Sequence, residues 1–118
     1  MGCMELKVLG SSSSGNCYIL DNGSEALIIE AGIRFMEVKK ALDFNISKVV
    51  GCLITHWHND HAKYIKSMVG CGFHVLALPE VLENKCVSGS RVKAIQVGKG
   101  YVLGAFKVIP SPASPDVP

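Results

Sequence analysis

No apolar run in this sequence approaches the roughly 20 residues that a membrane-spanning helix needs. The N-terminus, Met1-Gly2-Cys3-Met4-Glu5-Leu6-Lys7, lacks the basic-then-apolar pattern of a secretory signal. Both absences read as a cytoplasmic chain with no membrane partner. Charge of one sign is also missing: the net charge is +2 and no long basic run occurs, so composition alone gives no nucleic-acid footprint. The five cysteines are an odd number, scattered and without a repeated C-x-x-C. That spacing argues against a disulfide framework and against a zinc site built from thiolates. Cys17 and Cys52 fall in strand-like runs and read as reduced, buried, small hydrophobes. Histidine is scarce as well, with four in the chain, yet three of them fall between residues 56 and 61.

What is present is apolar. Hydrophobic residues make up 48% of 118, with a mean hydropathy of +0.30, enough for the core of one domain. The excess over a single core predicts surface on which the chain self-associates. Leu6–Leu9 reads as a first strand, followed by the small-residue turn Gly10-Ser11-Ser12-Ser13-Ser14-Gly15-Asn16. Gly10 and Gly15 have P-loop spacing, but Asn16 and Cys17 stand where lysine and Ser or Thr belong, and a strand follows instead of a helix. A nucleotide site is therefore rejected, and the stretch reads as a plain turn or as a loop at an active-site mouth. Asp21-Asn22-Gly23-Ser24 is a hairpin signal between strands 18–20 and 26–29. Phe35, Val38 and Leu42 repeat at helical spacing across 34–42, with a solvated charged face.

Val49–Ile54 is a continuous apolar run, the pattern of a strand buried on both faces. A helix is predicted after the histidines, with Ala62, Ile65, Met68 and Val69 inward. A strand over 73–78, a short helix begun by Pro79, and strands over 91–97 and 101–109 follow. Four of the five prolines lie in 110–118, which predicts an extended tail after a domain over 1–109.

Thr55-His56-Trp57-His58-Asn59-Asp60-His61 is where chemistry concentrates. Imidazole and carboxylate suit zinc, iron and manganese. In H-x-H, ligands two residues apart converge from a tight loop on one ion. Asp60 and His61 are adjacent, so they diverge and reach a second. Two ions about 3.5–4 Å apart can hold a hydroxide and stabilise both attacking and leaving oxygens of an ester. The loop closes neither site by itself, since a catalytic zinc takes about three protein ligands. Beyond His61 the supply is His74, which reads as structural, with Glu80, Glu83 and Asp116.

The motif His56-x-His58-x-Asp60-His61, preceded by an apolar strand and Thr55, resembles the signature of the metallo-β-lactamase superfamily. Gly10–Tyr18 and Leu27-Ile28-Ile29-Glu30-Ala31-Gly32 are similar to its bacterial YycJ-like branch of predicted hydrolases. The resemblance implies an α+β fold, the N-terminal half of an αββα sandwich, with a mixed or antiparallel sheet and helices on one face. It implies two divalent ions, zinc first and iron or manganese as alternatives. His56 and His58 would hold one ion and Asp60 and His61 the other, with Asp60 also orienting the attacking water. It further implies phosphodiester cleavage of nucleic acid in the full-length parent. Glu30 stands where the superfamily usually has aspartate; it either braces the loop from behind or ends its strand in solvent. The superfamily's remaining ligands come from later in a longer chain. The alternative reading is therefore a non-catalytic, truncated half-domain with an incomplete metal site.

Overall fold

The structure, a computed structural model, describes residues 4–111. The apolar run Val49–Ile54 forms β4, placed centrally in the main sheet. Around it lie β1 (Glu5–Ser12), β2 (Gly15–Asp21), β3 (Ala26–Ile29), β5 (Val75–Ala77) and β6 (Val92–Ala94), in the spatial order β1-β2-β3-β4-β5-β6. β1, β2 and β3 are antiparallel, and β3, β4, β5 and β6 are parallel. The mixed sheet follows from the connections. Asn22-Gly23 makes a tight turn, held by the Gly23 amide donating to Asp21 Oδ1 (2.8 Å) and with Gly23 at φ 96°. The later strands are joined through the helices α1 (Phe35–Ala41), α2 (Asn59–Ala62), α3 (Ile65–Gly70) and α4 (Pro79–Lys85), long enough for parallel return.

Alternation along the strands divides the core in two. Ile19, Ile28, Cys52, Ile54, Val75 and Ala77 pack with Val38 of α1, Ile65 and Met68 of α3 and Val81 of α4. On the opposite face Leu27, Leu53 and Leu76 meet Tyr101 and Phe106. β4 is thus buried from both sides, as its unbroken hydrophobicity predicts. Cys17, Cys52, Cys71 and Cys86 are free thiols, the first two fully buried. Among the described residues no helix is long and apolar enough to cross a membrane.

The structure corrects the sequence reading in three places. The strand expected over 101–109 is a hairpin, β7 (Tyr101–Leu103) and β8 (Phe106–Val108), reversed at Gly104 with φ 56°. The Glu25 carboxylate closes this turn by accepting from the Ala105 amide at 2.8 Å. The strand expected over 91–97 keeps only Val92–Ala94. The helix after the histidines is broken into α2 and α3. The tail expected over 110–118 lies outside the described residues from 112 on, and the Pro110 carbonyl accepts from the Gly98 amide at 2.8 Å.

Candidate metal centre at the end of the central strand

The break between α2 and α3 builds the site. In an unbroken helix the Asp60 and His61 carbonyls would accept from amides four residues on. Here the Asp60 carbonyl accepts from Asn16 Nδ2 (3.1 Å), and the His61 carbonyl from the Ala31 amide (2.6 Å). The Tyr64 amide turns to the Ala31 carbonyl (2.9 Å), and the Gly32 amide to the Asn16 carbonyl (2.9 Å). The first helical turn is therefore sewn to the ends of β2 and β3. Gly32 is dictated by this contact: a Cβ there would overlap the Asp60 carbonyl oxygen and lie 2.7 Å from the Asn16 amide nitrogen.

Glu30 lies behind the loop. It is 5% exposed, which removes the solvent-facing alternative, and it adopts φ 70°, a conformation that costs a non-glycine residue about 1–3 kcal/mol. Its amide donates to the Leu53 carbonyl at 2.7 Å, tying the end of β3 to β4. Its carboxylate accepts from the Thr55 amide (3.2 Å, Oε1) and the Thr55 hydroxyl (2.5 Å, Oε2). Oε1 also lies 3.4 Å from His61 Nδ1, a buried nitrogen with no hydrogen-bond partner. Thr55 Oγ1 is 2.9 Å from His56 Nδ1. Since that hydroxyl donates to Glu30, it accepts at His56, which places the His56 proton on Nδ1 and leaves Nε2 with its lone pair.

The loop brings together His56 and His61, whose rings are 4.5 Å apart, and offers Glu30, His56 and His61 within 4.8 Å of one another. His61 Nε2 faces Asp60 Oδ2 at 3.6 Å. His58 is outside the Glu30, His56 and His61 group; it precedes α2, exposed, with its ring 4.1 Å from that of Trp57. His74 is also outside that group, exposed at the start of β5, its carbonyl accepting from the Cys52 amide. Glu80 lines a cleft of about 320 Å³ beside Thr55 and His56, walled by Leu78, Val97 and Pro110. A larger cavity, about 350 Å³, lies by His74 and Tyr101 and includes none of the loop. Lys85 Nζ holds Asn59 Oδ1 at 2.5 Å.

The donor set fits a divalent cation. Two imidazoles and carboxylates converge, and His61 presents an unsatisfied buried nitrogen toward a carboxylate, the arrangement by which metal-bound histidines are oriented. Of the three closest residues, Glu30 has both oxygens engaged by Thr55, so it serves as an orienting group more readily than as a ligand. Sequence reasoning missed Asn16 and the bridging part of Thr55; both contacts span many residues and leave no local signal.

A six-stranded mixed sheet carrying histidines and carboxylates past its central strand is the metallo-β-lactamase fold. Residues 11–63 match the family model of the metallo-beta-lactamase superfamily. The chain is 33% identical over 63 residues to exodeoxyribonuclease YycJ of Bacillus anthracis, a match covering 51% of this chain and 24% of that protein. It resembles the metallo-beta-lactamase fold protein YhfI of Bacillus subtilis with a TM-score of 0.67 at 17% identity, over 91% of this chain and 52% of YhfI. The chemotaxis sensor ODP, solved as a diiron species, is similar with a TM-score of 0.67 at 16% identity, over 91% of this chain and 49% of ODP. The chain thus spans about a quarter of the curated relative it matches and about half of these solved structures.

Proposed function

We propose that this chain carries the metal-binding loop of a metal-dependent hydrolase that cleaves phosphodiester bonds in nucleic acid. The observation behind this reading is the loop's arrangement: His61 Nδ1 faces Glu30 while Nε2 faces Asp60 Oδ2. Similarity to the exodeoxyribonuclease supports the substrate class. His56 and His58 are assigned to one ion, and Asp60 and His61 to the other, with Asp60 also orienting water. Glu30 and Thr55 hold the two outer imidazoles. Zinc is the first candidate, and the same donors suit iron or manganese. Bound divalent ions supply Lewis acidity and a nucleophilic water near neutral pH. In the whole protein, His58→Ala or Asp60→Ala abolishes metal-dependent hydrolysis of single-stranded DNA. Undiminished turnover in either variant overturns the assignment.

A second reading concerns the surface. Leu6 and Val8 of β1 are 57% and 56% exposed. Their cross-strand partners, Leu20 and Tyr18, lie on the same face. Among the described residues β1 has no neighbour along its outer edge. Exposed apolar face beside an open strand edge favours pairing of two copies. Light scattering on the purified chain then gives a mass above the monomer, rising with concentration; a constant monomer mass refutes it.

A further inference from the structure

The start of β2, absorbed by neither reading, delivers one polar side chain into the metal loop. Asn16 is 8% exposed, more than nine-tenths buried. Its Nδ2 donates to the Ser12 carbonyl (2.9 Å), the Asp60 carbonyl (3.1 Å) and Asp60 Oδ2 (3.3 Å), and lies 3.5 Å from His61 Nε2. Its Oδ1 accepts from the Tyr18 hydroxyl at 3.4 Å. The orientation of the amide is fixed by these partners, since only the NH₂ end can serve three oxygens and only the carbonyl end can serve a hydroxyl that donates.

We propose that Asn16 is a positioning residue for the metal loop, clamping the backbone and the carboxylate of Asp60 together and so setting Asp60 Oδ2 opposite His61 Nε2. This rests on the metal-site reading above and goes beyond it. A carboxylate on the first turn of a four-residue helix has free rotation about its side-chain bonds. One amide that grips both its own carbonyl and its Oδ2 removes that freedom, and water would not, because the amide is itself anchored at Ser12 and Tyr18. Groups that orient ligands in this way shift metal affinity by about 10–100-fold when removed. A turn-closing role alone requires the Ser12 bond and nothing more.

The test uses the chain as it is, with Asn16→Ala and Tyr18→Phe. Zinc ion is titrated calorimetrically, the ring nitrogens of His61 are observed by long-range ¹H–¹⁵N NMR in the metal-free chain, and the melting temperature is recorded. Asn16→Ala weakens zinc binding about 10–100-fold and moves the His61 Nε2 resonance. Tyr18→Phe, which leaves the turn intact, moves both in the same direction with a loss of about threefold. A purely structural Asn16 lowers the melting temperature and leaves ring resonance and zinc affinity unchanged, which overturns the proposal. If Asn16→Ala does not fold, Tyr18→Phe decides by the same two readouts. If the parent chain takes up no zinc, the metal reading fails for this chain, and the His61 resonance in the metal-free variants still decides the role of Asn16.

Discussion

Gly32 is where the fold and the site share a single contact, and Gly32→Ala tests both. Three backbone hydrogen bonds surround it: Gly32 to Asn16, Ala31 to His61, and Tyr64 to Ala31. An added Cβ would overlap the Asp60 carbonyl oxygen and stand 2.6 Å from its carbon. All the obstructing atoms are backbone, so no side chain can swing aside. Forcing a methyl into a packed site costs about 1–3 kcal/mol. Losing or stretching one or two of the bonds adds about 0.5–1.5 kcal/mol each. The expected destabilisation is therefore about 1.5–6 kcal/mol. At about 0.05–0.15 kcal/mol per residue the whole chain of 118 residues has about 6–18 kcal/mol, so the loss is a large fraction. Urea denaturation followed by far-UV circular dichroism measures it. Gly70→Ala is the control: a Cβ there meets nothing within 4 Å, and alanine in a helix is favoured by about 0.5–1 kcal/mol. Because the displaced atoms belong to Asp60, the His61 ring resonances also shift in Gly32→Ala. A variant within about 0.5 kcal/mol of the parent, with unmoved resonances, refutes the account.

The other predictions concern groups away from the loop and buried thiols beneath it. The Asp21 carboxyl is held below its ordinary value, first by the hydrogen bond from Lys48 Nζ (2.8 Å) and also by the Gly23 amide. A lowered value in the folded state means stabilisation that is complete above the usual 3.8 and lost as pH falls through the folded value. Asp21→Asn then costs about 1.5–3 kcal/mol near neutral pH, and the gap to the parent closes in strong acid; a gap independent of pH refutes the pairing. Burial, aided by the negative charge of Glu30, pushes the Cys17 thiol up to about 12, and burial raises Cys52 as well. With a disulfide reagent and mass mapping, Cys86, exposed at the end of α4, is modified rapidly in the native chain, whereas Cys17 and Cys52 react only on unfolding. Native-state modification of Cys17 at the rate of Cys86 refutes this.

Local pattern by itself determined the centre of this protein. Six consecutive apolar residues, Val49–Ile54, are comfortable only in a strand covered on both faces, and β4 is that strand. Asn22-Gly23 specifies a reversal whatever surrounds it, and three histidines with an aspartate within six residues advertise metal chemistry by composition alone. The same kind of reading failed at 101–109, where apolar residues run through Gly104 and the turn is fixed by Glu25, far back in the chain. It also ran the post-histidine helix straight through Tyr64, because helical spacing of Ala62, Ile65 and Met68 persists across the break. Only the tertiary structure decided that the Asp60 and His61 carbonyls bond sideways to Asn16 and Ala31, that Glu30 is buried against Thr55, and that Glu30 joins His56 and His61 in one group. The reason is one of range. Hydrophobic period and turn chemistry are properties of neighbouring residues, whereas a buried polar group takes whichever partner the packing brings within about 3 Å.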